Sequence, residues 1–123
     1  VAEVSNTITT VDKQEEQLGV ASGYDHSFVI TNPIEKIAAS VFCEATGIQL
    51  EVYSDLPTVH LYTGNFLADD LSKTGIPYEK HAGLCIEAQH YIDSPNQPAF
   101  PTIQLNPGEE YQATIIYKFN IIK

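Results

Sequence analysis

The sequence predicts an all-β fold, an antiparallel β-sandwich, and three observations support this fold class. Apolar and polar residues alternate with a period of two in several segments, whereas no segment sustains apolar residues at helical spacing. Turn-forming residues separate the alternating segments. With 43% hydrophobic and 18% charged residues, the composition favours a packed core over a disordered tail. We therefore expect residues 1–123 to form one domain or part of one.

Six segments carry the strand pattern. In residues 47–53 the alternation places Ile48, Leu50 and Val52 on one face, and residues 114–122 alternate in the same way. The predicted strands comprise residues 26–31, 38–45, 47–53, 58–63, 84–89 and 114–122.

The connections between these strands have their own signals. Asn106, Pro107 and Gly108 predict a tight turn, because proline presets φ at the second position and glycine accepts a positive φ at the third. Three prolines within residues 91–101 cannot donate ladder hydrogen bonds, so this segment is predicted to be an ordered surface loop. The first 20 residues are polar and poorly patterned, which predicts a loop or a connection from upstream sequence.

Charge and composition exclude several partners and compartments. The net charge of −10, from 6 basic and 16 acidic residues, would repel a phosphate backbone, so nucleic acid is not expected to bind. No run of 18 apolar residues could span a bilayer, and the N-terminus lacks a basic and then apolar stretch, so we expect no membrane partner and a cytoplasmic protein. Cys43 and Cys85 are too few for a disulfide scaffold and too distant for a metal motif, which favours reduced thiols.

Common catalytic motifs find no support in the residues alone. Asp25 and His26 are adjacent on a predicted strand and would point to opposite faces, so no metal site is expected. Gly64 and Gly75 are isolated and form no phosphate-binding loop. Ser27 lacks the spacing of a hydrolase nucleophile.

Glu87 is more informative, because it lies within an otherwise apolar strand. Alternation places Glu87 and Gln89 on one face and Leu84 and Ile86 on the other. One interpretation is a carboxylate on a solvated sheet face. The other is a cleft lined by Glu87 and Gln89, where partial burial would raise the pKa of a carboxyl group towards the range of a general base.

Six motifs, taken in order, resemble the C-terminal half of the galactose mutarotase (aldose 1-epimerase) family. The resemblance covers nearly all of the chain from Gly23 onward, with similar spacing between motifs. The motifs are residues 23–28 (GYDHSF), 50–53 (LEVY), 61–67 (LYTGNFL), 81–89 (HAGLCIEAQ), 93–98 with 100–101 (DSPNQP and FP) and 107–111 (PGEEY).

The resemblance implies a large mutarotase-like supersandwich whose concave sheet binds a hexose such as galactose or glucose. It implies an aldose 1-epimerase with Glu87 as the general base and Asp25 as an acceptor for sugar hydroxyls, since a carboxylate is a strong, bidentate acceptor. No cofactor is implied, because mutarotation moves only protons. Phe66 would form a hydrophobic wall of the cleft or belong to the core. Gln89 and His60 would contact the sugar, although family members often carry glutamine at position 60.

The family's general acid and a second substrate histidine belong to an N-terminal half that this chain does not contain, so we expect that half as a partner or a missing segment. None of the four histidines matches those positions. A non-catalytic sugar-binding or regulatory module is the alternative from another class, and retention of Glu87 and Asp25 favours the enzyme. An epimerase of phosphorylated hexoses would need arginines for the phosphate, and all six basic residues are lysines.

Overall fold

A computed structural model describes residues 16–31, 37–68 and 72–122 of the chain. All six predicted strands are confirmed, with each end within two residues of its predicted position. The elements are α1 (Glu16–Ala21), β1 (Asp25–Val29), β2 (Ile37–Cys43), β3 (Ile48–Ser54), β4 (Thr58–Tyr62), β5 (Cys85–Gln89), the 3₁₀ helix η1 (Ser94–Asn96) and β6 (Ile115–Ile121).

The strands form two antiparallel sheets of three strands each. In the β4 sheet, the order is β1-β4-β5, and in the β3 sheet it is β2-β3-β6. Each central strand pairs with the next or preceding strand of the chain and with one distant strand. Strand β4 pairs with its neighbour β5 and with the distant β1, and β3 pairs with its neighbour β2 and with the distant β6. The antiparallel, sheet-on-sheet fold class predicted from the alternation is confirmed.

The core lies between the two sheets. Val59 and Leu61 on β4 and Ile86 on β5 pack with Val52 of β3, which is fully buried, and Ala38 of β2. Fully burying one such side chain stabilises a fold by about 1.5–3 kcal/mol. Because successive strand residues point to opposite faces, this packing turns the other face of the β4 sheet away from the core.

The prediction of a loop over the first 20 residues is wrong for residues 16–20, which form most of α1. The helix spans six residues, too few to show an apolar periodicity, and none of its residues is buried. It ends where the Gly23 amide donates to the Leu18 carbonyl at 3.1 Å. Residues 1–15, which the same prediction covered, lie outside the described residues.

The other two predicted connections are confirmed. At the turn, the Glu109 amide donates to the Asn106 carbonyl at 3.0 Å, and Gly108 has a φ of 90°, which glycine tolerates best. The segment 91–101 is an exposed loop interrupted by η1. Side-chain amides of Gln97 and Asn96 donate to the Asp93 carboxylate and lower its pKa.

Strand β6 leaves apolar side chains uncovered. Tyr117, Phe119 and Ile121 lie on the core-facing side of the β3 sheet, yet they are 50%, 69% and 75% exposed. On the opposite side, Lys118 donates to the Glu51 carboxylate at 2.8 Å. The β4 sheet therefore covers only part of the apolar face of the β3 sheet.

No helix within residues 16–31, 37–68 and 72–122 is long and apolar enough to cross a membrane. Cys43 and Cys85 are both free thiols at exposed positions.

Candidate active site

Polar side chains from all three strands meet on the outward face of the β4 sheet. The strand register places Ser27 opposite His60 and His60 opposite Glu87, while Asp25 lies opposite Tyr62 in the next row. This face is called the polar face below. It consists of Asp25 and Ser27 on β1, His60 and Tyr62 on β4, and Glu87 and Gln89 on β5.

The structure thus brings together four of the five site residues predicted from the sequence, namely Asp25, His60, Glu87 and Gln89. Ser27 and Tyr62, which were not predicted to contact the substrate, lie on the same face, and Tyr62 belongs to the segment 62–66 that the resemblance places beside the cleft. The alternation of the strands contained this information, because Ser27 lies two residues from Asp25 and Tyr62 lies two residues from His60. Extending the period of two from each predicted residue would have found both.

A chain of hydrogen bonds crosses the polar face. His60 Nε2 lies 2.8 Å from Asp25 Oδ1, and Ser27 Oγ lies 2.9 Å from His60 Nδ1. The Gln89 amide Nε2 donates to Ser27 Oγ at 3.4 Å. Since a carboxylate only accepts, Nε2 of a neutral His60 ring donates to Asp25, and Nδ1 accepts a hydrogen bond from the Ser27 hydroxyl. The ring N–H of His60 and the hydroxyl of Ser27 then each have an acceptor.

The Glu87 carboxylate has a different environment. It is exposed, and in the described part of the chain no donor binds it. The partly apolar surroundings considered for Glu87 are therefore not provided by these residues. Glu87 lies on the strand next to His60, whose ring is bonded on the side of β1.

Phe66 borders one end of the polar face. Its ring stacks on that of Tyr62 with centroids 6.5 Å apart, and its amide donates to the Tyr62 hydroxyl at 3.0 Å. Phe66 is 67% exposed, so within the described residues it is not part of the core. An exposed ring beside polar side chains is suited to cover the apolar face of a sugar ring.

Buried polar groups fix the loop that carries Phe66. The Tyr24 amide donates to Thr63 Oγ1 at 3.0 Å, and this hydroxyl donates to Asn65 Oδ1 at 2.7 Å. The Asn65 amide in turn donates to the Tyr24 carbonyl at 2.8 Å. A Cβ at Gly23 would overlap the Asn65 side chain, and the φ of 150° also favours glycine. The start of β1 and the end of β4 are thereby held together.

The other three histidines lie outside the polar face. His26 points to the opposite side of β1, and His90 packs against the ring of Tyr111. His81 Nδ1 donates to the Thr63 carbonyl at 2.8 Å and so ties the segment before β5 to the loop after β4. Among the described residues, no group of three or more His, Cys, Asp or Glu side chains could hold a metal ion.

A separate groove of about 580 Å³ is formed by the loop that includes η1. No residue of the polar face lines it. Its walls are Ser94, Pro95, Gln97, Pro98, Phe100, Thr102, Ile103 and Gln104.

A family model and individual related proteins all point to the same protein family. A sequence model described as Aldose 1-epimerase matches residues 1–118. The chain belongs to the aldose 1-epimerase family. It is 46% identical over 102 residues to a galactose mutarotase of Homo sapiens, covering 81% of this chain and 30% of that protein. It is 48% identical over 101 residues to a galactose mutarotase of Mus musculus, covering 80% and 30%.

Relatives with lower sequence identity belong to the same family. An aldose 1-epimerase of Escherichia coli (strain K12) is 39% identical over 101 residues, covering 79% of this chain and 29% of that protein. The crystal structure of a GalM/aldose epimerase homologue from C. elegans superimposes with a TM-score of 0.75 at 33% identity, covering 81% and 30%. The family resemblance expected from the six motifs is confirmed, and the chain spans about 30% of the length of the curated relatives it matches.

Proposed function

We propose that the chain carries the general base and a sugar anchor of an aldose 1-epimerase, which interconverts the α and β anomers of a hexose. The observation that carries this proposal is the polar face, where Asp25, His60, Glu87 and Gln89 converge from three strands of a chain in the aldose 1-epimerase family. Galactose is the first candidate substrate because several relatives are named galactose mutarotase.

The residues on the polar face suit the proton transfers of this reaction. Glu87 would accept the proton of the anomeric hydroxyl while an acid protonates the ring oxygen, and the bond between C1 and the ring oxygen would break to give an aldehyde. Rotation about the C1–C2 bond presents the other carbonyl face. Attack by the hydroxyl then closes the ring, its proton returns to the acid, and Glu87 returns its proton to the anomeric oxygen.

Substrate binding would use the remaining acceptors. Asp25 Oδ1 is bonded to His60, which leaves Oδ2 for a sugar hydroxyl, and the Gln89 amide oxygen can accept another. Asp25 has a side chain 41% exposed and can therefore reach a ligand. Phe66 would lie against the sugar ring at the border of the face.

The proposed reaction needs a general acid that we place outside this chain, on the N-terminal half of the fold. The exposed apolar side chains of β6 support the presence of such a partner, because a large uncovered apolar patch marks an interaction surface. The chain covers 30% of the length of the human galactose mutarotase, so more than half of that relative is not matched by this chain. The partner could be joined to this chain or be a second polypeptide.

A sugar-binding module without catalysis is the alternative, since the hydrogen-bonded Asp25 and Gln89 could bind a hexose even where Glu87 transfers no proton. The rate of mutarotation distinguishes an epimerase from a sugar-binding module. The chain is combined with the polypeptide that completes the fold, and the resulting complex is called the assembled enzyme. The mutarotation of α-galactose by this complex is followed by polarimetry.

An epimerase accelerates the approach to anomeric equilibrium above the spontaneous rate in water, whereas a binding module leaves the rate unchanged while still binding galactose in calorimetry. Acceleration without any requirement for the added polypeptide would contradict the placement of the acid outside this chain.

A further inference from the structure

Both ring nitrogens of His60 are bonded to protein groups. Nε2 binds Asp25 at 2.8 Å and Nδ1 binds Ser27 at 2.9 Å. The His60 side chain is only 12% exposed, whereas that of Asp25 is 41% exposed. The histidine is thus covered and has no hydrogen-bonding atom left for a ligand, while the carboxylate beside it remains accessible.

We propose that His60 is a positioning residue that sets the sugar affinity of this site through Asp25, without contacting the sugar by a hydrogen bond. The inference rests on the proposed function for the identity of the ligand, a hexose that donates hydroxyl protons. It replaces the direct sugar contact expected for His60 with an indirect role.

The hydrogen-bond geometry explains how His60 would act. An exposed aspartate samples several orientations about its side-chain bonds, and binding a ligand in one of them costs conformational entropy. The bond from His60 holds Oδ1 on the protein side and leaves Oδ2 as the acceptor for a sugar hydroxyl. Ser27 bonds the His60 ring at 2.9 Å and accepts a longer bond of 3.4 Å from Gln89. The ring, and with it the free carboxylate oxygen of Asp25, is therefore oriented before the sugar arrives.

The charged neighbours of His60 are consistent with this role. Asp25 on β1 is its bonded acid, and Glu87 on β5 lies opposite it in the strand pairing. The ring is bonded towards β1, so it leaves the Glu87 carboxylate unbonded and accessible. His60 thus bonds one neighbouring acid, Asp25, and holds it for sugar binding. Its ring makes no bond to the other acid, Glu87, whose carboxylate stays able to accept a proton.

A double-mutant cycle on the assembled enzyme tests this inference. The ligand is 1-deoxygalactose, which lacks the anomeric hydroxyl and cannot be turned over, and its Kd is measured by calorimetry for wild type, His60→Phe, Asp25→Ala and the double variant. Action through Asp25 predicts that His60→Phe raises the Kd about fivefold to tenfold when Asp25 is present and less than twofold when Asp25 is replaced. An equal factor in both backgrounds would show that His60 acts on the sugar independently and would overturn the inference.

A second pair of variants keeps the test decisive if His60→Phe fails to fold. Ser27→Ala removes the donor to His60 Nδ1 and is expected to raise the Kd about twofold to threefold, while Ser27→Thr keeps the hydroxyl and should restore the wild-type Kd. The ¹⁵N spectrum of histidine-labelled enzyme should show His60 protonated at Nε2 and not at Nδ1. The opposite tautomer, or Kd values that do not respond to Ser27→Ala, would contradict the chain of hydrogen bonds.

The outcomes also separate this inference from the proposed function. Assembled enzyme that binds 1-deoxygalactose with the predicted coupling but fails to accelerate mutarotation would remove the catalytic function and retain the role of His60. Normal mutarotation without coupling between His60 and Asp25 would remove the role of His60 alone.

Discussion

Strands β4 and β6 have similar alternating sequences and very different surroundings. In β4, Val59 and Leu61 are buried on one side, while His60 is held by hydrogen bonds on the other. In β6, Phe119 and Ile121 are largely exposed although they lie on the core-facing side of their sheet. Residues of this chain therefore pack against one side of β4 and hydrogen-bond on the other, whereas the described residues leave part of the apolar face of the β3 sheet uncovered.

This difference indicates which parts of the function belong to the chain itself. The polar face has its hydrogen bonds within residues 25–89 and needs no other polypeptide to align Asp25, His60 and Gln89. Within residues 16–31, 37–68 and 72–122, the apolar side chains of β6 are left largely exposed. We expect the chain to supply an ordered half-site and to depend on additional polypeptide for stability and for the general acid.

The largest expected effect is on the isolated chain. Exposed strand edges and apolar faces favour association, so the 123-residue chain alone is expected to aggregate or to unfold without cooperativity. Sedimentation and calorimetry check this directly. A monodisperse 13.6 kDa species with a cooperative transition would show that the β3 sheet needs no partner.

A matched pair of variants on β6 sharpens the comparison. Phe119→Gln places a polar group on the exposed apolar face, and Lys118→Gln introduces the same residue on the opposite face of the strand. If Phe119 is buried on assembly, its loss costs about 1.5–3 kcal/mol, or roughly tenfold to a hundredfold in affinity for the completing polypeptide. Titration of that polypeptide should show little change for Lys118→Gln. Equal effects of the two variants would place the interface elsewhere.

On the polar face of the β4 sheet, Asp25→Ala should weaken sugar binding. The variant removes the proposed acceptor for a sugar hydroxyl at a cost of about 1–3 kcal/mol, so the KM for galactose is expected to rise about tenfold. Steady-state mutarotation kinetics of the assembled enzyme provide the measurement. An unchanged KM and kcat would show that Asp25 has only a structural role.

The alternation of residues predicted the six strands and placed Glu87 and Gln89 on one face, because strand geometry fixes this relation locally. It could not predict the bond between His60 and Asp25, which depends on the register between β1 and β4, two strands that are not consecutive. The exposure of Phe66 also depends on the packing of a loop. The proposed roles of the site residues come from the family resemblance, since an isolated glutamate on a sheet face has no sequence signature of catalysis.

The smallest expected effect concerns pH and the ion pair between β3 and β6. The hydrogen bond from Lys118 lowers the pKa of Glu51, and the same bond raises the pKa of Lys118. The stability from Glu51 is therefore present above its ordinary pKa of 4.5 and is lost as the pH falls through its lowered value in the folded state. The contribution of Lys118 is present below 10.5 and is lost as the pH rises through its raised value.

Lys118→Met is thus expected to lower the Tm of the assembled enzyme slightly at pH 7, with the difference from wild type vanishing in acid. The effect is small because solvent screens an exposed pair. Thermal unfolding at a series of pH values measures it. A Tm difference that stays constant down to pH 2 would assign the effect to packing rather than to charge.

The central claim is that Glu87 is the base on the polar face, and the turnover of Glu87→Gln tests it most directly. Glutamine keeps the shape of the side chain but does not accept the proton, so the kcat for mutarotation of α-galactose by the assembled enzyme should fall about 100-fold or more while sugar binding changes little. Glu44→Gln, an exposed glutamate in the turn between β2 and β3, serves as the matched control and should retain wild-type kcat. A folded Glu87→Gln enzyme with near-full turnover, corrected for the spontaneous reaction, would contradict the account.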